Sequence, residues 1–193
     1  MIIKKFISIK LRKMLTESRI PFSISLPEDI LQIKDVFKKN GYKLYVVGGA
    51  VRDALLGKQQ KDFDLATDAI PDRVEEILAE AGFKTLPTGK AFGVINVFTD
   101  SGEYEIATFR EDQTKGRKPE VKLGATIESD AARRDLRINA LYYDIDSNEI
   151  IDLVGGIADI KNNTIQMVGN PQERFEEDPL RILRFFRFLS RFD

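Results

Sequence analysis

Two carboxylates one residue apart, Asp62 and Asp64 around Phe63, follow shortly after the glycine-rich stretch Gly48-Gly49-Ala50-Val51-Arg52-Asp53. On a strand, side chains two apart point to the same side of the sheet, so this spacing presents two acids together and invites a divalent metal. Just upstream, Tyr45-Val46-Val47 reads as a buried strand that breaks at two glycines before a helical run through Arg52, Ala54 and Leu56, stopped by Gly57. A strand that passes through glycines into a helix leaves amides free for phosphate oxygens. Singly, an Asp-Xaa-Asp pair also fits a solvated loop or a cap, and a double glycine also fits a plain turn. Their joint occurrence in strand and helix context points to a site for a metal-bound nucleotide.

A third acid, Glu105, lies in the run Glu103 to Arg110, whose alternation puts Glu103, Glu105, Ala107 and Phe109 on one face and Tyr104, Ile106 and Thr108 on the other. It is either a further metal ligand or a solvent-facing strand residue. The chain has 193 residues with no Cys and no His, which excludes zinc sites of the usual kind, thiol catalysis and a Ser/His/Asp triad. Any general base must be a carboxylate, Lys or Tyr. With 30 basic and 31 acidic residues the formal charge is −1, so contacts to nucleic acid must come from local patches.

The elements that must position these groups alternate along the chain. Pro27-Glu28-Asp29 opens a helix closed by Lys38, Lys39 and Gly41, and the strand and helix around the double glycine follow. A strand through the Asp pair comes next, then a helix from Pro71 to Gly82. Residues Gly93 to Thr99 and Glu103 to Arg110 read as a hairpin, and Glu111 to Glu120 as a mobile loop. Ser129-Asp130 is expected to cap a helix holding Arg133, Arg134 and Asp135. Strands follow over Ala140 to Ile145, Glu149 to Val154 and Thr164 to Val168. A last helix begins at Asp178-Pro179, with Arg181, Arg184, Arg187 and Arg191 on one stripe and Ile182, Phe185, Phe186 and Leu189 opposite. A solvated face is the plain account of the arginines, whereas the apolar side calls for a cover: a partner, a second copy or a C-terminal region.

No apolar run approaches the roughly 20 residues that cross a bilayer. The first twenty residues, with Lys4, Lys5, Lys10, Arg12 and Lys13 among Ile and Phe, fit an organellar presequence, a membrane-surface helix or a helix packed on the domain. The expected organisation is a basic extension over 1–26, a catalytic head over 27–169 and the start of a helical neck over 170–193.

The stretches Gly48 to Asp53, Leu55-Leu56-Gly57, Asp62-Phe63-Asp64, Glu105 to Arg110, Arg133-Arg134-Asp135, Ile138-Asn139-Ala140 and Glu177 to Arg181 occur in the order found in one enzyme family. From about Lys43 onward the chain resembles the class II tRNA nucleotidyltransferases, or CCA-adding enzymes, and the related bacterial poly(A) polymerases. That resemblance implies an α+β head with the nucleotidyltransferase fold of the polymerase beta superfamily, a mixed sheet with flanking helices. It implies that Asp62 and Asp64 hold two Mg²⁺ ions about 4 Å apart, with Glu105 as the third catalytic carboxylate. Gly48, Gly49 and Arg52 would receive the triphosphate of CTP or ATP, and Asp135 would accept from the ribose hydroxyls. Arg134, Asn139, Arg184 and Arg187 complete the nucleotide-binding set. At the base, Asp178 accepts and Arg181 donates, which matches the amino group and ring nitrogen of cytosine and adenine.

The partner so implied is a tRNA 3′ end, in the cytoplasm. Arg137 departs from the family pattern, which has Thr there, and family members are longer, with neck, body and tail helices. CCA, CC-only or A-only addition, poly(A) synthesis, a non-catalytic RNA- or nucleotide-binding module, and transfer to small molecules or proteins stay open as readings.

Overall fold

In a computed structural model, residues 19–114, 116 and 119–190 are described; the expected basic N-terminal segment, Arg191 and part of the polar loop lie outside them. The described strands are β1 (Arg19–Pro21), β2 (Leu44–Val47), β3 (Asp64–Thr67), β4 (Lys84–Gly89), β5 (Val94–Thr99), β6 (Gly102–Thr108), β7 (Arg110–Asp112), β8 (Val121–Leu123), β9 (Leu141–Asp144) and β10 (Glu149–Asp152). The helices are α1 (Glu28–Lys39), α2 (Gly49–Leu55), α3 (Pro71–Glu80), α4 (Ile127–Arg133), α5 (Gly156–Lys161), α6 (Pro171–Glu177) and α7 (Leu180–Leu189). One eight-stranded sheet runs β1-β10-β9-β2-β3-β6-β5-β4, and β7 and β8 form a separate pair. Within the large sheet β3 and β6 are parallel, and the other neighbours antiparallel, so the sheet is mixed.

Alternation along the strands splits the core into two layers. Val46, Leu65, Ile95 and Ile106 face one side, where Ile30, Ile33 and Phe37 of α1 and Val74, Ile77 and Leu78 of α3 cover them. α1 has the charge order of a stable helix, with Glu28 and Asp29 in the first turn and Lys38 and Lys39 in the last, each complementing the local end of the helix dipole. On the other side Tyr45, Phe109 and Tyr142 form an aromatic group with ring centroids 5.5 to 6.4 Å apart, over which α4 brings Ala131. Asp64, Ala66, Glu105 and Ala107 share this second side by strand parity, and past the aromatic group it is open to solvent.

Several expectations are corrected. Asp62 is not on a strand: β3 begins at Asp64, and Asp62 stands in the preceding irregular segment. Thr126 rather than Ser129-Asp130 caps α4, its hydroxyl accepting the Ser129 N–H at 3.3 Å, which draws Asp130 into the buried face of the helix. Thr164 to Val168 is not a ladder strand, since only Met167 bridges to Leu136. The polar loop from Glu111 is framed by the β7–β8 pair, with Arg110 opposite Leu123 and Asp112 opposite Val121. β4, α5 and α6 had no counterpart in the sequence reading. Arg19–Pro21, inside the segment assigned to an extension, pairs with Glu149–Ile151, and Ile20 is fully buried. Among the described residues no helix is long and apolar enough to cross a membrane.

Candidate active site

β2 ends and β3 begins at the same edge of the sheet, because their antiparallel register sets Val47 opposite Asp64. The next residue after Val47 is Gly48, with φ 73° and ψ −122°, and its N–H donates to the Leu141 carbonyl at 3.1 Å. A chain reversal between a strand and α2 needs that conformation, which side-chain-bearing residues avoid. A Cβ at Gly48 would have room, its nearest neighbour being the Asn139 carbonyl oxygen at 3.7 Å, so the backbone angles alone require glycine. Gly48→Ala is therefore expected to cost about 1–3 kcal/mol, read as a lowered urea midpoint with an unchanged m-value.

β6 lies parallel to β3 with Leu65 level with Ile106, which brings Glu105 beside Asp64. Asp62, Asp64 and Glu105 together line a cleft of about 470 Å³, with Lys61, Ser101, Glu103 and Tyr104 also on its walls. All three acids stay accessible to solvent. The Asp64 carboxyl is nevertheless pushed above its ordinary range, first by desolvation in the cleft and also by the Asp62 charge, with Arg134 acting in the opposite sense. Two repelling carboxylates, hard oxygen donors at the wall of an open cleft, fit a divalent cation such as Mg²⁺. Among the described residues no three acidic side chains are already gathered at coordinating spacing, so the acids share a cleft without forming a finished shell.

On the β2–β9 side of the cleft an ordered hydrogen-bond network surrounds the glycine turn. Arg52 on α2 donates to the Asn139 side chain at 2.6 Å and to Asp53 at 2.9 Å, and its guanidinium packs over the Phe188 ring at 5.2 Å. Gly49 lies under the same guanidinium, 3.7 Å from where its Cβ would stand. Arg134 reaches the Asn139 carbonyl at 3.5 Å and is held from behind by Asp130 and the Tyr142 hydroxyl. Asp130, Arg133 and Tyr142 were not singled out from sequence as site groups. An acid three residues ahead of one arginine and four ahead of another on a helix was the available signal.

Asp135 is buried, with one carboxylate oxygen accepting the Leu136 N–H at 2.7 Å and the other 2.9 Å from an Arg184 guanidinium nitrogen on α7. Asp178 accepts the Leu180 N–H at 3.1 Å and so starts α7, one residue later than expected. Arg181 does not turn to Asp178: it donates to Glu177 at 2.9 Å, which Arg174 also contacts at 3.0 Å. Burial alone would raise the Glu177 carboxyl, but these two arginines hold it below its ordinary value. Arg187 is exposed and packs against the Phe188 ring at 5.6 Å. The structure thus gathers Asp62, Asp64 and Glu105 on one cleft and Gly48, Gly49, Arg52, Arg134 and Asn139 around one turn, while Asp178 and Arg181 point to separate partners.

The apolar side of α7 divides. Phe185 and Phe188 pack toward Leu136, Ile138 and Met167, whereas Leu183 and Phe186 remain 67% and 59% exposed. Arg137, the departure from the family pattern, donates its N–H to the Gln166 carbonyl at 3.0 Å. Its charge also lowers the Asp159 carboxyl, which burial holds above its usual value.

Residues 44–166 match the family model described as the poly A polymerase head domain. The chain is 45% identical over 173 residues to a CCA-adding enzyme of Bacillus pumilus (strain SAFR-032), covering 88% of this chain and 41% of that protein. It is 37% identical over 175 residues to a poly(A) polymerase I of Haemophilus influenzae, covering 84% of this chain and 38% of that one. Among solved structures, Bacillus stearothermophilus CCA-adding enzyme in complex with CTP superposes with a TM-score of 0.74 at 38% identity, over 84% of this chain and 38% of the other. A tRNA nucleotidyltransferase complexed with a primer tRNA and an incoming ATP analog superposes with a TM-score of 0.66 at 32% identity, over 81% and 44%. The chain therefore spans less than half the length of these relatives. The mixed sheet with flanking helices is the nucleotidyltransferase fold, and with the family model matching most of its length, the chain belongs to the poly(A) polymerase head domain family.

Proposed function

We propose that this chain is the catalytic head of a template-independent RNA nucleotidyltransferase that adds C, A or both from CTP and ATP to the 3′ end of tRNA, in the cytoplasm. The observation that carries the reading is the register that puts Asp64 beside Glu105 and opposite Val47, immediately before the Gly48 turn. Acids that can bind a cation and a turn that can receive phosphates thereby share one edge of the sheet. Residues 27–169 are the head in this reading and residues 170–193 the start of a neck.

Asp62 and Asp64 would hold Mg²⁺, with Glu105 beside them; the bound cation supplies charge neutralisation at the triphosphate and makes the attacking hydroxyl more acidic. The chain's own residues do the positioning. Gly48 and Gly49 offer backbone at the start of α2, and Arg52 and Arg134 bring positive charge to the same place. Asp135, an acceptor, favours a ribonucleotide, since a missing 2′-hydroxyl leaves a buried carboxylate without a donor. Asp178 and Arg181 select cytosine and adenine, which requires Arg181 to release Glu177.

A poly(A) polymerase is the second reading, favoured by the similarity to poly(A) polymerase I. One assay separates the two. The chain is incubated with Mg²⁺, a tRNA lacking its 3′ end and labelled single nucleotides, and extension is read on a sequencing gel. Termination after two C and one A is expected; a long A tract supports the second reading. CTP binding without incorporation would reduce the chain to a nucleotide-binding module.

A further inference from the structure

Asp135 is 8% exposed, and one of its carboxylate oxygens is fully buried without a hydrogen-bond donor. Arg184 stands 2.9 Å from that oxygen, close enough to pair by charge but outside hydrogen-bonding geometry. A buried carboxylate in this condition is costly, and a well-directed hydroxyl donor would satisfy it better. Arg184 itself is 58% exposed, so its departure from the carboxylate costs little solvation. A second contact links the same helix to the other half of the pocket. Phe188, one turn further along α7, packs against Arg52, which in turn holds Asn139 beside the glycine turn.

We infer that Arg184, instead of being the nucleotide contact that the resemblance implies, is a placeholder at Asp135, and that nucleotide binding exchanges the Arg184–Asp135 ion pair for ribose hydroxyls. This rests on the proposed function for the ribose at Asp135. The exchange makes α7 a nucleotide-responsive element: with Arg184 released, the packing of Phe185 and Phe188 on Leu136, Ile138 and Met167 and the contact of Phe188 with Arg52 still hold the helix over the turn. Arg181 does not contact Asp135: its partner here is Glu177, so its proposed move to the base is a separate step from this exchange. By linkage, whatever stabilises the ion pair weakens nucleotide binding by the same factor.

The test is a double-mutant cycle of Arg184→Ala and Asp135→Asn, with CTP and dCTP affinities measured by calorimetric titration and stability by urea unfolding. Arg184→Ala is expected to tighten CTP about two- to fivefold, the worth of a half-exposed ion pair, and to tighten dCTP less. In the Asp135→Asn background the same substitution should change CTP affinity little. Without nucleotide, Arg184→Ala should lower stability more in the natural background than in the Asp135→Asn background, where the carboxylate charge is gone. Unchanged or weakened CTP binding in Arg184→Ala, or equal shifts in both backgrounds, overturns the placeholder. If the natural chain binds no CTP at all, the proposed function falls and the inference with it. CTP binding that ignores Arg184 removes the inference alone.

Discussion

Asp64→Ala is expected to lower nucleotide incorporation by about a thousandfold or more: in the proposed function Asp64 is a metal ligand, such a ligand is worth several kcal/mol of transition-state stabilisation, and each 1.36 kcal/mol is a factor of ten. The fold should survive. Asp64 sits at the first residue of a strand, accessible to solvent, and its carboxyl is pushed upward by desolvation and by Asp62, so its charge opposes folding rather than supporting it. A carboxyl raised above its unfolded value favours the native state at low pH and loses that contribution as pH rises through its native pKa. Asp64→Asn should accordingly be at least as stable as the natural chain at pH 7, with the difference vanishing in acid. Single-turnover incorporation and urea unfolding on the same preparation check both halves. Retained turnover in Asp64→Ala would show that the acids of this cleft do not carry the chemistry.

Asp130→Ala should unfold or severely weaken the protein, by about 3–5 kcal/mol, the usual cost of stranding buried partners of an ion pair. Asp130 is 1% exposed. It accepts from Arg133 at 2.7 and 2.9 Å, from Arg134 at 3.0 and 3.2 Å and from the Tyr142 hydroxyl at 2.6 Å. Burial alone would raise this carboxyl, but the Arg134 and Arg133 charges and the Tyr142 hydroxyl hold it below its ordinary value of 3.8. The sign is opposite to that of Asp64. Stability from Asp130 is fully present above the unfolded pKa and is lost as pH falls through the depressed native one. Acid unfolding of the natural chain should therefore be steep below the ordinary carboxylate range, and Asp130→Asn should lack that portion of the slope. Tyr142→Phe, which removes the bond to Asp130 and the one accepted from Arg134 but leaves both arginines on Asp130, should cost only about 1–2 kcal/mol. Equal losses for Asp130→Ala and Tyr142→Phe would mean that the arginines are held by something else.

Much of the frame was legible in the sequence because it depends on neighbours along the chain. The period of Ile30, Ile33 and Phe37 marked a helix, the alternation of Tyr104, Ile106 and Thr108 marked a strand face, and glycines at 48, 57 and 82 marked the breaks, each with positive φ. The ordered motifs then identified the family, as the head-domain match over residues 44–166 bears out. Local rules failed where a tertiary partner outweighed propensity. Thr164 to Val168 has the composition of a strand, but it meets residues 135–137 through the single bridge of Met167 with Leu136, too short a contact to extend into a ladder.

The residue types and their order determined by themselves which chemistry this chain can hold: acids without histidine or cysteine, glycines at one turn, arginines along one helix. Tertiary structure alone decided which of them meet. The parallel pairing of β3 with β6 brings Glu105 to Asp64 from a distant part of the chain, and the fold of α7 over the head sets Arg184 on Asp135. Such pairings are long-range choices among several acids of equal chemistry. Nothing in the spacing along the chain distinguishes one carboxylate from its neighbour until packing has brought one of them within reach.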